Sequence, residues 1–173
     1  FLEYVYFHSQ ADEMIIFFQN SQRTIKSINI GAALVWGHEV SFGFQFLDTI
    51  NVSGNYSFQS AVDRGDVVYW LDNALPMRPM SQGYMKVEYL PVNGLRLWAD
   101  ASYIGENYLD RANLFRVDER VILNAGVMFE RRGRDPGWSV SLEGKNLDDN
   151  RITDVAGYPM PGRSFFLTFL VRF

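Results

Sequence analysis

The sequence predicts an all-β chain that forms part of an antiparallel transmembrane β-barrel. Three observations carry that prediction. Segment after segment alternates apolar and polar residues with a period of two, as a strand with one face in lipid requires. The connections between these segments alternate in length, short then long, which matches tight turns on one side of a membrane and extended loops on the other. The chain also closes on an alternating strand, with Phe165, Leu167, Phe169, Val171 and Phe173 at every second position and an aromatic residue last.

Eight strands follow in order. The opening segment, Leu2 to Gln19, is apolar on both faces, so its phase stays open, and a bulge near Ala11 to Glu13 would suit it. The second sets Val40, Phe42, Phe44 and Phe46 against Glu39, Ser41, Gly43 and Gln45. The third sets Ile50, Val52, Tyr56 and Phe58 against Asn51, Ser53, Asn55 and Ser57. In the fourth, Met85, Val87 and Tyr89 oppose Tyr84, Lys86 and Glu88; in the fifth, Leu95, Leu97, Ala99 and Ala101 oppose Arg96, Trp98, Asp100 and Ser102. Val121, Leu123, Val127 and Phe129 form the sixth apolar face, with Ile122 and Met128 breaking the polar one. Trp138, Val140 and Leu142 form the seventh, and the strand from Ser164 is the eighth. A hairpin over Pro91 to Gly94 that pairs Tyr89 with Leu95 would set Glu88 against Arg96.

Short connections fall near Leu47 to Thr49, Pro91 to Gly94 and Arg131 to Gly137. Long ones cover about Asn20 to Ser27, Ser60 to Met80, Ile104 to Arg116 and Leu147 to Arg163, lengths that are uncommon inside compact soluble domains. Phe46, Tyr89, Phe129, Trp138 and Phe173 all lie at short-turn ends in the apolar phase, where an interfacial aromatic girdle belongs; Tyr56, Phe58 and Tyr103 lie near the opposite ends.

Composition narrows the function. Phe, Trp and Tyr make up 16% of the 173 residues, and no apolar run reaches the 18 residues that a membrane-spanning helix needs. With no cysteine there is no disulfide, thiolate metal site or thiol nucleophile. A net charge of −4 lacks the basic footprint of a nucleic-acid binder. The two histidines, His8 and His38, have no local motif around them for Ser-His-Asp catalysis, so the chain reads as no enzyme; strand or interfacial roles suit them better. Asp148, Asp149, Asn150 and Asp154 offer oxygen ligands but lack the spacing and glycine of a calcium hand, and read as a solvated loop. Arg131, Arg132 and Arg134 crowd one turn and read as hydrated. The chain opens on Phe1 without an initiator methionine or signal peptide, which reads as a mature or truncated product.

Glu39, Lys86, Glu88, Arg96, Asp100, Arg120, Glu143, Lys145 and Arg172 all fall in the polar phase. Charges of both signs on one interior exclude a dry apolar core and call for water or a polar body inside. Tyr69, Trp70, Tyr108 and Tyr158 lie in the long loops and are candidate ligand contacts, because loops on a rigid scaffold commonly carry binding. Packing of these loops on one another is the competing use, above all for the apolar run Val67 to Leu71.

Asn146-Leu147-Asp148-Asp149, the loop from Gly157 that closes on Pro161-Gly162-Arg163, and the terminal strand together resemble the C-terminus of TonB-dependent outer-membrane transporters. Upstream, Asn29-Ile30-Gly31-Ala32-Ala33 followed by Val35 to Val40 is similar to that family's Asn-x-x-x-Ala…Gly-x-Glu strand, with His38 where the family more often has Val or Leu. The resemblance implies that residues 1–173 are the C-terminal strands of a 22-stranded barrel in the bacterial outer membrane, with the plug domain, the earlier strands and the energy-coupling segment elsewhere. It implies energised uptake of a scarce ligand, most often a ferric siderophore, with cobalamin, haem and oligosaccharides as alternatives. Expected partners are TonB with its inner-membrane energising complex, the barrel assembly machinery, the lipid bilayer and the ligand; no cofactor is expected. Leu167, Phe169, Val171 and Phe173 match the family's assembly signal. A small closed eight-stranded barrel with a structural or adhesive role is the rival architecture.

Overall fold

A computed structural model describes residues 1–13, 15–19, 25–29, 31–131, 137–151, 153–155 and 158–172. Fourteen strands occur among them: β1 Leu2–Asp12, β2 Ile15–Gln19, β3 Ile25–Asn29, β4 Ala32–Phe46, β5 Ile50–Asp63, β6 Ser81–Tyr89, β7 Leu95–Ile104, β8 Asn107–Tyr108, β9 Arg116–Val117, β10 Arg120–Arg131, β11 Gly137–Lys145, β12 Thr153–Val155, β13 Tyr158–Pro159 and β14 Ser164–Arg172. Eight of them make one antiparallel sheet in the order β1-β4-β5-β6-β7-β10-β11-β14. Among the described residues its end strands, β1 and β14, are not paired with each other, so the eight strands form an open wall and not the small closed barrel. The remaining strands form three small hairpins, β2-β3, β8-β9 and β12-β13, each inserted in a long connection.

The register shows why the alternating pattern specifies this sheet. One row crosses seven strands as Phe46, Ile50, Tyr89, Leu97, Val127, Leu142 and Leu167, without a polar residue. The next row reads Phe44, Val52, Val87, Ala99, Ala125, Gly144 and Phe165. A slip of one residue in any strand would turn that strand's charged residues into these rows. Each Arg or Lys so placed costs about 2–4 kcal/mol near the bilayer midplane. Val87, Leu97, Val127, Val140 and Phe169 therefore share the apolar face, and Lys86, Arg96, Glu143 and Arg172 share the other.

On the charged face the groups pair locally. Lys86 Nζ lies 2.7 Å from Glu88 Oε1, Arg172 Nη1 lies 3.4 Å from Glu130 Oε1, and Lys145 Nζ lies 3.7 Å from Glu143 Oε1. Trp98 also points to this side and lies flat across Gly126; a Cβ at that glycine would come within 2.2 Å of the indole, so the close approach requires glycine.

Several boundaries differ from the sequence reading. The opening strand ends at Asp12, and Ile15–Gln19 pairs with Ile25–Asn29 in a separate hairpin, so the ambiguous phase came from joining two strands. β4 begins at Ala32, seven residues before the alternation becomes clear, because Ala33 and Val35 on its polar phase are covered by the β5–β6 connection. The Pro91 hairpin pairs Tyr89 with Leu97, not Leu95, so Glu88 stands opposite Trp98 and bonds Lys86 instead of Arg96. The two-residue shift keeps every side chain on its expected face. Of the aromatic girdle, Phe46 and Tyr89 share a row, and the Phe129 and Trp138 rings sit 5.6 Å apart. Phe173 lies outside the described residues, as do Arg132 and Arg134 of the basic turn. Tyr56 and Tyr103 share a row at the other end with Tyr4 of β1.

Candidate functional site at the outer loops

The β5–β6 connection, residues 64–80, folds back over the end of the wall and is tied to the β7–β10 connection, residues 105–119. At the centre is Asp63, the last residue of β5 and 1% exposed. It forms an ion pair with Arg111, itself 3% exposed, from the other loop. The second carboxylate oxygen of Asp63 accepts the Gly65 N–H at 2.8 Å. The Arg111 guanidinium lies 4.1 Å from the centre of the Trp70 ring, a cation–π contact made largely out of water.

Around this pair the loops exchange backbone partners through amide side chains. Asn73 Nδ2 donates to the Arg111 carbonyl at 2.9 Å. The Asn113 side chain accepts the Ala74 N–H and donates to the Ala74 carbonyl, both at 2.9 Å. Asn113 can present both groups because it takes a left-handed backbone, φ 56°, which asparagine tolerates better than most residues. Below it, Asp110 accepts the N–H groups of Leu114 and Phe115, at 3.0 and 2.7 Å. Leu75 packs into a small buried cluster with Ala33 and Ala61, which seats the loop on the polar phase of β4 and β5.

The candidate contact residues therefore have different environments. Trp70 is half-buried with one face taken by Arg111. Tyr69 beside it is 91% exposed and Val68 80% exposed, so the loop tip is open. Tyr108 is half-buried on β8, where its carbonyl accepts the Met77 N–H at 2.7 Å. The Tyr158 side chain lies outside the described residues.

A second clasp closes the last long connection, residues 146–163, and brings the separated sequence motifs together. Asn146 is 5% exposed and left-handed, φ 50°. Its Nδ2 donates to the carbonyls of Asn150 and Pro161 at 3.0 and 3.2 Å, and its Oδ1 accepts the Asn150 N–H at 3.0 Å. Asp149 Oδ1 accepts the Arg163 N–H at 2.8 Å, and a Cβ at Gly162 would meet that same oxygen at 2.8 Å. The Leu147 N–H donates to the Leu123 carbonyl at 2.8 Å, joining the clasp to β10. Asn124 continues the network inward, its Oδ1 accepting the Asn146 N–H at 3.0 Å and its Nδ2 donating to Asp100 at 2.7 Å. Asp148 and Asp149 thus serve as turn acceptors, Asp148 taking the Asn150 side-chain amide; the Asp154 side chain lies outside the described residues. Leu167, Phe169 and Val171 of β14 lie in the apolar phase, opposite Leu142, Val140 and Trp138.

Sequence reasoning did not identify Asp63, Arg111, Asn73, Asn113 or Asn124. An aspartate closing the strand after Ala61 and Val62 was the one visible signal, and its partner lies 48 residues away.

Comparison with known families and structures agrees with this architecture. Residues 1–147 match the model of the TonB dependent receptor-like β-barrel. Among curated proteins no sequence matches. The siderophore receptor PiuA from Acinetobacter baumannii is similar in structure, with a TM-score of 0.80 and 20% identity over 97% of this chain and 25% of that one. The ferric yersiniabactin uptake receptor FyuA from Yersinia pestis gives 0.76 and 16% over 99% and 27%. The copper transporter OprC gives 0.72 and 15% over 96% and 28%. The chain thus spans about a quarter of the length of these neighbours. At these identities the likeness is one of fold.

Proposed function

We propose, since this chain belongs to the TonB-dependent receptor β-barrel family, that the whole protein takes up a scarce ligand across the outer membrane, driven by TonB. The family and fold are those of receptors and transporters, and they place the chain in the bacterial outer membrane. The observation that carries the transport reading is the wall itself. It has one face of unbroken apolar rows and another of mixed charges that pair locally while keeping partial exposure. Such a charged face suits contact with water and a polar plug rather than a packed apolar interior. Under this reading the plug, the earlier strands and the segment that binds TonB belong to other parts of the protein.

A ferric siderophore is the ligand class we favour, because PiuA and FyuA are siderophore receptors by name. Copper is the second reading, on the likeness to OprC; cobalamin, haem and oligosaccharides have no such neighbour among the three. The outer loops would contribute Tyr69 at their open tip, whose ring offers flat apolar surface with a hydrogen-bonding edge. The test is accumulation of radioactive iron from a panel of ferric siderophores, and of copper, in cells that depend on this receptor. Iron uptake that vanishes without TonB is expected. Copper uptake alone would favour the second reading, and solute entry that persists without TonB would overturn the mechanism.

The terminal strand is proposed to address the barrel assembly machinery, on the alternation of Leu167, Phe169, Val171 and Phe173. Deleting Phe173 should lower the amount of folded receptor in the membrane and spare the ligand affinity of what folds. Normal insertion with weakened binding would sink that role.

A further inference from the structure

The only two histidines of the chain, thirty residues apart in sequence, become neighbours in the sheet. His8 of β1 stands opposite Trp36 of β4, and His38 stands opposite Tyr6, so the imidazoles are diagonal neighbours. Diagonal positions are about 7–8 Å apart, within reach of one small anion. Both lie in the phase of Phe42, Phe44 and Phe46 and so face lipid, not the lumen.

Their height follows from β4. His38 is eight residues and Trp36 ten residues from Phe46. At about 3.3 Å per residue and a tilt of about 40°, that is roughly 20–25 Å along the membrane normal, the outer edge of an apolar band about 25 Å tall. Aromatic rings mark the same level. Tyr4 stacks on His38 at 5.9 Å between centroids, Tyr6 tilts over it at 5.3 Å, and Trp36 meets it edge-on at 6.0 Å.

The chemistry of His38 is set by Tyr4, whose hydroxyl lies 2.7 Å from Nδ1. With the phenol donating to Nδ1, the neutral ring carries its proton on Nε2, and the protonated ring carries one there too; in both states Nε2–H is a donor. The charged and titratable groups on this face of β1, β4 and β5 are few. Tyr4, Tyr6 and Tyr56 share it, and Asp12 lies four residues beyond His8, while Glu3 and Glu39 point to the other side. Two imidazoles beside rings at the headgroup level, with no carboxylate between them, suit an anion that bears an apolar tail.

We propose that His8 and His38 form a binding site for the phosphate group of an outer-leaflet lipid. The Nε2–H of His38 donates to a phosphate oxygen, and His8, one diagonal position away, supplies the second contact. It depends on where the wall meets the membrane and not on what the receptor transports. The probe is dioctanoyl phosphatidic acid, added to the full receptor in neutral detergent, with bound lipid counted by mass spectrometry after washing. At a single pH of 7, the receptor should retain about fivefold more of this lipid than of dioctanoylglycerol, which lacks only the phosphate, and that retention ratio is the readout. His8→Gln and His38→Gln should each reduce the ratio, and together abolish it, with heat-modifiable gel mobility reporting that the barrel still folds. An unchanged ratio in the folded double variant would overturn the site. Inorganic phosphate that displaces the lipid at equal concentration would show a free-anion site and overturn the lipid assignment.

Discussion

Two clasps hold the outer loops, and they are built from opposite chemistry. The first joins residues 64–80 to 105–119 around a buried ion pair, Asp63 with Arg111. The second closes residues 146–163 around a buried neutral amide, Asn146, with Asn124 and Asn150 in support. A buried ion pair is costly to desolvate and becomes worse when one member is lost, because the survivor is left charged out of water. A neutral amide that satisfies three backbone groups loses only hydrogen bonds when it is removed. The first clasp should therefore fail sharply and the second gradually.

The largest effect should come from Arg111→Ala. Asp63, 1% exposed in the intact clasp, would be left without its cation, a loss of about 3–5 kcal/mol in the local stability of the joined loops. Amide hydrogen exchange of residues 65–75 in the full receptor reads this directly. Adding Asp63→Asn should recover part of the loss, since the amide oxygen still accepts the Gly65 N–H and no unpaired charge remains. If the double variant is no better than Arg111→Ala alone, the clasp is held by packing and not by charge.

Asn146→Ala comes next, at about 1–3 kcal/mol for the carbonyls and N–H it leaves unpaired. The Asn150 amide should exchange faster while the 65–75 segment stays protected, because the two clasps share no residue. Equal loosening of both loops would mean that they move as one body, which would erase the contrast.

These two clasps also mark how far the sequence could be read. Asn146 and Pro161-Gly162-Arg163 stood out as motifs, and the structure brings them into one hydrogen-bonded turn. The strands and their faces were legible because lipid on one side and charge on the other impose period two on every strand. That pattern weakens where neither constraint acts. Ala33 and Val35 on the polar phase lie under the β5–β6 connection, so alternation there is blurred and the start of β4 is not legible. The Pro91 turn has the right faces in either of two registers two residues apart, and periodicity cannot choose between them. Asp63 and Arg111 were invisible because their meeting depends on how two loops fold back over the wall, which no local spacing encodes.

Trp70→Ala sharpens the ion-pair clasp at lower cost. The ring covers one face of the Arg111 guanidinium at 4.1 Å, and removing it should cost about 0.5–2 kcal/mol of loop stability. Exchange of residues 65–75 should rise less than with Arg111→Ala. A ligand affinity that falls in proportion to loop opening would mark Trp70 as a support for the tip; one that falls with the loop still protected would make it a direct contact.

The smallest structural effect should come from Tyr69→Ala, next along the same loop. The side chain is 91% exposed, so its loss should change loop stability by less than about 0.5 kcal/mol. Ligand binding is where it should matter: an aromatic anchor at the tip is worth about 1–3 kcal/mol, seen as weaker affinity of the full receptor for the ligand that the uptake panel identifies, at unchanged surface expression. The clasp makes this comparison clean, because Asp63 and Arg111 hold the tip from beneath without using the Tyr69 ring. Unchanged affinity would assign the first clasp to loop packing alone and move recognition to other loops of the receptor. Weaker affinity with unchanged exchange would show that this loop divides its work residue by residue, Trp70 facing inward to the guanidinium and Tyr69 outward to the ligand.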